Sequence, residues 1–257
     1  MHQPSPYHGA RHIGSACQAP SHIASPIQMM PMTPFASTAL GKPLSITFGG
    51  QTVWLLPEHA LWWPEGRILF IADLHLGKAA TYRALGQPVP SGTTAENLRR
   101  LTDLIEHYQP EHLVFLGDFL HARQARTESV LGQVTAWRES HAAMHCTLVR
   151  GNHDSRAGDP PRELNIHVVD EPYLLGPFAA CHHPQTHTSH AVLAGHLHPA
   201  ATLQGPARDR LRLPCFVFGK SSAILPAFGE FTGGYTVVPQ PDSVLYAVGG
   251  QTVWRLP

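Results

Sequence analysis

Five short apolar runs in this chain each end in a polar block built from Asp, Asn or His, and that recurrence restricts the fold more than any other feature. The blocks are Asp73-Leu-His75, Gly117-Asp118, Gly151-Asn-His-Asp154, His182-His183 and Gly195-His-Leu-His198. The run before the first, Ile68 to Ala72, has the length and the β-branched and aromatic content of a buried strand. Polar groups delivered to strand ends are where ligands bind in α/β proteins. Along a strand of period two, Asp73 and His75 are predicted to project to one side, so that a carboxylate and an imidazole share a cation. Alone, Asp-x-His is more often a carboxylate orienting a neighbouring histidine in a turn; the ordered series carries the weight.

The rest of the chain frames those strands. Thr93-Thr-Ala-Glu96 has the spacing of a capping box, and Leu98, Leu101, Ile105 and Tyr108 follow on one helical stripe that Pro110 ends. A second helix is predicted over 128–142 with Leu131, Val134 and Trp137 inward, while the segment holding Lys78 and Arg83 reads as a loop. Strand and helix alternate in the first half and strands dominate the second, the pattern of a mixed sheet core flanked by helices. The segment 49–57 nearly recurs at 249–257, which reads either as two strands of similar environment on one sheet or as chance likeness.

A chain of 257 residues can bury the core of one large domain. Residues 1–42, rich in Pro, Ser, His and Met without apolar periodicity, are predicted to be a disordered extension, and 43–257 a single domain. Lys and Arg number 18 against 18 Asp and Glu, so global charge does not announce a nucleic-acid binder. The 19 histidines raise the prior for metal chemistry. Four scattered cysteines, no signal-peptide pattern and no apolar run of membrane-span length lead to the expectation of a cytoplasmic protein.

In this order the five blocks resemble the calcineurin-like metallophosphoesterase superfamily. The resemblance implies an α/β (α+β) fold, a four-layer αββα sandwich with a dinuclear metal site at strand ends. It implies that Asp73, His75 and His198 hold one ion and Asn152, His182 and His196 the other, with Asp118 bridging. Carboxylate and amide oxygens mixed with imidazoles, and no thiolate, suit two divalent ions: manganese, with iron, nickel or zinc as alternatives. Such ions, about 3.5–4 Å apart, hold a bridging hydroxide that attacks phosphorus in line. His153 would then stabilise the transition state and protonate the leaving oxygen. Asp154 either orients His153 or caps a helix start. His183 stands where the superfamily often has glycine; His182 is preferred as ligand because it comes directly off its strand, with His183 as the alternative. His121, just past Asp118, reads as a solvated loop histidine, with substrate contact as the alternative.

Further stretches, among them Asp73 to Lys78, Val149 to Asp154, Leu193 to Pro199, Leu211 to Phe216 and Leu225 to Gly229, resemble the ligase-associated DNA damage response endonucleases of that superfamily. That resemblance, covering about Pro43 to Val248, implies a manganese-dependent endonuclease in DNA repair, acting on DNA beside a ligase and a helicase. Lys78, Arg83 and Arg123 would grip substrate phosphate, within a rim that also includes Arg126, Arg156, Arg162, Arg208, Arg210 and Arg212. Interspersed Glu128, Asp159, Glu163 and Asp209 make a merely solvated rim an equal reading. The alternative function is phosphodiester hydrolysis on a small cyclic or dinucleotide substrate. A non-catalytic scaffold on the same fold has no need for a complete ligand set.

Overall fold

The apolar runs that precede the polar blocks are strands in the computed structural model, which describes residues 40–89, 91–205, 209–238 and 240–257. Residues 1–39, and with them most of the expected extension, lie outside the described residues, as does Arg208. Gly41 and Lys42, assigned to that extension, are tied to the fold. The Gly41 N–H donates to Glu58 Oε1 at 2.8 Å and the Lys42 N–H to the Gln251 carbonyl at 2.9 Å.

The first sheet takes its strands in sequence order: β1 (Leu44–Phe48), β2 (Gln51–Leu56), β3 (Ala60–Trp63), β4 (Ile68–Ile71), β5 (His112–Phe115), β6 (His145–Val149) and β7 (His167–Val169). It is antiparallel through β4 and parallel from β4 onward. The connections dictate this change, since short turns join the first four strands whereas helical crossovers follow. These crossovers hold α1 (Lys78–Ala84) and α2 (Thr93–Tyr108) before β5, α3 (Glu128–Ser140) before β6, and α4 (Asn152–Ala157) before β7.

The second sheet contains β8 (Tyr173–Leu175), β9 (Phe178–Ala180), β10 (Ala191–Ala194), β11 (Pro199–Gln204), β12 (Arg210–Phe218), β13 (Ser222–Ile224) and β14 (Tyr235–Thr236). Their order is β14-β11-β12-β13-β10-β9-β8, and β15 (Val244–Gly249) pairs with β12 and with β16 (Thr252–Arg255).

Alternation along the strands builds two cores. Phe70, Val114 and Leu116 of the first sheet segment pack with Phe178, Leu193 and Phe216 of the second in one cluster between the sheets. On the other face of the first sheet, Leu69, Ile71, Leu113 and Phe115 meet Leu101 and Leu104 of α2 and Val134 and Trp137 of α3. The two-sheet sandwich and its helical layer on the first sheet agree with expectation. All described helices fall between Lys78 and Leu164, so among the described residues none follows the strands of the second sheet. None is long and apolar enough to cross a membrane.

Four local expectations need correction. The segment holding Lys78 and Arg83 is helical, as α1, rather than loop. No capping box starts α2: Gly92, at φ 90°, is the cap and has no side chain to reciprocate, and Glu96 pairs instead with Arg99 at 2.7 Å. In α3, Thr127 Oγ1 accepts from the Val130 N–H at 3.2 Å, and the phase so set buries Val130 while Leu131 stays partly exposed. The recurring segments sit on different sheets, β2 on the first and β16 on the second, and their equivalent residues Val53 and Val253 share the core between the sheets.

Candidate metal centre

Every polar block lies at the carboxyl end of a parallel strand: β4, β5 and β6 in one sheet, β9 and β10 in the other. The way the side chains are aimed differs from the period-two argument. Asp73 and His75 lie beyond the end of β4, and both have left-handed backbone, at φ 52° and 46°. Asp118, His196 and His198 do too, at 52°, 70° and 46°. Five of the ten non-glycine residues with positive φ among those described are therefore candidate ligands. Such residues cost of order 1–3 kcal/mol each and persist only where their surroundings hold them. Two glycines make room here. A Cβ on Gly117, at φ 83°, would lie 2.1 Å from His182 Nδ1, and one on Gly151 would lie 2.3 Å from Asp118 Oδ1.

The candidate ligating atoms converge in two groups. In the first, His75 Nε2 lies 3.2 Å from His198 Nε2 and 3.6 Å from Asp118 Oδ2, and His198 Nε2 lies 3.5 Å from Asp73 Oδ1. In the second, His182 Nε2 lies 2.9 Å from Asn152 Oδ1, 3.1 Å from His196 Nδ1 and 3.5 Å from Asp118 Oδ1. Asp118 thus turns one oxygen to each group. Ligands about 2.1 Å from a common ion at right angles stand about 3 Å apart, the spacing found here.

The electrostatics fit divalent cations. Asp73 and Asp118 are 0% and 2% exposed, and a carboxylate oxygen of each lies with a His182 nitrogen in a set spanning no more than 4.8 Å. At an effective dielectric of about 20, two like charges at that separation repel by about 3 kcal/mol. The nearby cation is Lys78, itself buried; burial holds its pKa below the ordinary value, partly offset by Asp118 and Asp73. The imidazoles are also assigned so as to meet a cation. His182 Nδ1–H donates to the Leu116 carbonyl at 3.0 Å and His198 Nδ1–H to that of Thr232 at 3.1 Å, which leaves each Nε2 bare. Burial pushes the His75 pKa down, with Lys78 adding to it, and keeps that ring neutral as a ligand must be. His196 is lowered by burial as well. For His198, burial is outweighed by the hydrogen bond and charge of Asp73, so its pKa rises; a cation beside Asp73 would reverse that balance.

His153 stands over the first group. Its N–H donates to Asp118 Oδ1 at 2.9 Å, its ring Nδ1 lies 2.5 Å from the His121 carbonyl, and its Nε2 lies 3.9 Å from Asp118 Oδ2. His121 is no solvated loop residue. Its ring stacks on His153 at 5.0 Å and its Nδ1 reaches within 3.4 Å of His75 Nδ1; burial, with Lys78 adding to it, pushes its pKa down to about 4.

Asp154 is turned away from the His153 ring. Its Oδ1 accepts from the N–H groups of Phe119 and Leu120 at 3.0 and 3.2 Å, and its Oδ2 from Gly151 at 3.0 Å. It locks the Gly117-Asp118 and Gly151-Asn152 turns together. Three donors crowd a carboxylate that burial nevertheless pushes up to about 6.

Of the two adjacent histidines, His182 turns Nε2 to Asn152, His196 and Asp118, while His183 also has a ring nitrogen within 4.8 Å of nitrogens of His182 and His196. His183 is held by Glu171, whose Oε1 lies 2.7 Å from His183 Nδ1 and whose Oε2 accepts from the N–H groups of His182 and His183 at 2.6 and 2.8 Å. Sequence reasoning missed Glu171, which lies in no motif. It also missed Thr232.

Among the expected phosphate contacts, the structure brings Lys78 to the centre, where Nζ donates to the Thr232 carbonyl at 3.3 Å. Arg83 and Arg123 are on the exposed surface, and Arg83 reaches the Val89 carbonyl at 3.4 Å. Arg126 is engaged by the carbonyls of Gly158 and Asp159.

Comparison with known proteins bears on this arrangement. The family described as calcineurin-like phosphoesterase matches residues 66–182. The crystal structure of Pseudomonas putida nuclease MPE is similar over 84% of this chain and 100% of that one, at 47% identity and a TM-score of 0.75. The structure of Yfce, a phosphoesterase from E. coli, matches 74% of this chain and 97% of its own at 16% identity and a TM-score of 0.34, too loosely to compare sites. No curated protein matches.

Proposed function

The chain belongs to the calcineurin-like phosphoesterase family, a family of hydrolytic metalloenzymes, and from that premise we propose that it is a dinuclear metal-dependent nuclease that hydrolyses DNA phosphodiesters. The observation that carries the reading is Asp118, whose Oδ1 and Oδ2 point into two separate groups of ligand atoms. Two ions bound there would supply a nucleophile activated from water and neutralise charge on the phosphate.

The chain's own residues do the rest. Asp73, His75 and His198 would hold one ion, and Asn152, His182 and His196 the other. Asp118, oriented by the His153 N–H, would touch both. His153, with Nδ1 committed to the His121 carbonyl, would present Nε2 as the group that gives a proton to the leaving alkoxide. Lys78, kept at the site by burial, would add positive charge toward the phosphate. Hard oxygen donors mixed with imidazoles favour manganese or iron over ions that prefer thiolate. DNA as substrate is supported by the likeness to a nuclease; a role in repair beside a ligase and a helicase rests on sequence resemblance.

The test is metal-free protein titrated with Mn²⁺, Fe²⁺, Ni²⁺, Zn²⁺ and Mg²⁺ against labelled DNA and a bis-aryl phosphodiester. Two ions per chain should restore both activities, and Asp118→Asn should lose metal and both activities together. One ion sufficing for full activity, or DNA left intact while the small diester is cleaved, overturns the reading.

A further inference from the structure

Next to the first ligand group the surface opens into a cavity of about 370 Å³ lined by His198, Pro199, Ala200, Arg212 and the loop 229–234. This is the lower end of the size range of clefts that take small ligands. Two residues of its lining, Phe231 and Arg212, and the adjacent Tyr235 are outside the two groups of candidate ligands.

Phe231 is half exposed and has φ 57°, a backbone conformation that bulky residues avoid. The loop that presents it is anchored on both sides. The Thr232 carbonyl accepts from His198 Nδ1 at 3.1 Å, the Gly229 N–H donates to the Asp73 carbonyl at 3.1 Å, and the Glu230 N–H reaches Asn97 Oδ1 at 3.3 Å. An aromatic ring is thereby held out from a loop fastened to two candidate ligands.

Tyr235 is a second exposed aromatic side chain, at 66%, and its N–H donates to the carbonyl of His198 at 2.8 Å. Arg212 on β12 is exposed, and its guanidinium makes no hydrogen bond or ion pair to the side chain or backbone of a described residue, although its backbone pairs with Thr202. A Cβ on Gly234 would lie 3.4 Å from its Nη2, so the guanidinium rests against the loop at the cavity wall.

Two exposed aromatics and an unpaired cation beside a phosphoryl-transfer centre are the elements with which proteins hold unpaired nucleotides: bases stack on rings while cations meet phosphates. We infer that the cavity beside His198 is a nucleobase subsite, in which Phe231 stacks on an unpaired base adjacent to the scissile phosphate and Arg212 meets a neighbouring phosphate. The inference rests on the reading of the protein as a nuclease and adds that the strand it cleaves must be unstacked at that nucleotide.

The experiment compares manganese-loaded wild type, Phe231→Leu, Phe231→Tyr and Arg212→Gln on three substrates: a single-stranded oligonucleotide, the same oligonucleotide carrying a run of abasic nucleotides, and a bis-aryl phosphodiester. Wild type should prefer the base-bearing strand over the abasic one. Phe231→Leu should raise KM for the base-bearing strand by about 5- to 100-fold, the loss expected for one stacked base, and should abolish that preference. Phe231→Tyr should retain it, because the ring is kept. Arg212→Gln should weaken both strands alike and flatten the salt dependence of binding. Bound metal, measured in each variant, shows whether the loop still supports His198.

If wild type cleaves both strands equally, or if Phe231→Leu keeps the preference with metal retained, the subsite does not exist, although the nuclease reading stands. If wild type cleaves the bis-aryl diester and neither strand, the nuclease reading falls and the inference with it.

Discussion

The ring of His153 is tied to the carbonyl oxygen of His121, with Nδ1 2.5 Å away, and its other nitrogen, Nε2, lies 3.9 Å from Asp118 Oδ2. With Nδ1 committed to that carbonyl, Nε2 is the ring nitrogen left to meet a leaving oxygen if His153 is the proposed acid. His153→Ala should keep both ions, since the ligating atoms belong to other side chains. Turnover on DNA should fall by about 10²- to 10⁴-fold, the usual contribution of a positioned acid. A nitrophenyl diester, whose leaving group departs without help, should lose far less. Single-turnover rates on both substrates, after metal analysis, decide it: equal losses would make His153 a phosphate-positioning group, and loss of metal would make it a ligand.

Asp154 calls for a different outcome. Its carboxylate receives three backbone N–H groups from two turns that carry Asp118 and Asn152. Asp154→Asn would place an amide NH₂ against donors, leaving at least one buried N–H unsatisfied at a cost of about 1–3 kcal/mol. The expected signature is a lower Tm, with metal bound more weakly and activity recovered at saturating manganese. Undiminished Tm together with a large loss of turnover would return Asp154 to a direct part in the chemistry.

Much of this centre was legible because its candidate ligands follow short apolar runs, which have the length and the β-branched and aromatic content of buried strands. Asp73, Asp118, Asn152, His182 and His196 could be placed at strand ends from that pattern alone. What periodicity could not give was their aim. Asp73 and His75 reach their positions through left-handed backbone, which the sequence marks only where glycine requires it, as at Gly117. Supporting groups were harder still. The carbonyls of Leu116, His121 and Thr232 belong to residues whose side chains are irrelevant to the contact, and Glu171 is brought in across 11 residues of chain. The capping box failed for a related reason, since glycine at position 92 was free to take the cap.

Acid sensitivity should be traceable to His59. It is partly buried in the lining of the cavity, with Nδ1 2.9 Å from the Ala227 carbonyl, and desolvation, aided by Arg100, lowers its pKa to about 4. The unfolded chain protonates near 6.5 while the folded one stays neutral, so the stability gained is present above 6.5 and is lost as pH falls toward 4. Between pH 7 and pH 5 that loss is about 2 kcal/mol. His59→Gln, which can still donate to Ala227, should show a shallower fall over this interval. Urea unfolding of both proteins at the two pH values, in one metal state, isolates the difference; parallel slopes would place the acid sensitivity elsewhere.

Glu171 offers the sharpest separation of support from ligation. Burial opposes its charge, yet the hydrogen bonds from His183 and from the backbone of His182 and His183 hold its pKa below the usual carboxylate range. One oxygen takes both N–H groups at the point where the chain leaves β9, and so sets the direction from which His182 enters the second ligand group. Removing partners of this kind costs about 10- to 100-fold in metal affinity. Glu171→Ala should therefore weaken one of the two ions by that factor and leave the other, held by Asp73, His75 and His198, nearly untouched. Glu171→Gln keeps an oxygen for the two backbone donors and gives up only the bond to the His183 ring, so it should restore most of the affinity. Competition titration with a chelator resolves the two ions. An equal weakening of both would mean that Glu171 holds the fold as a whole, and an Ala variant with two undisturbed ions would mean that β9 delivers His182 without it.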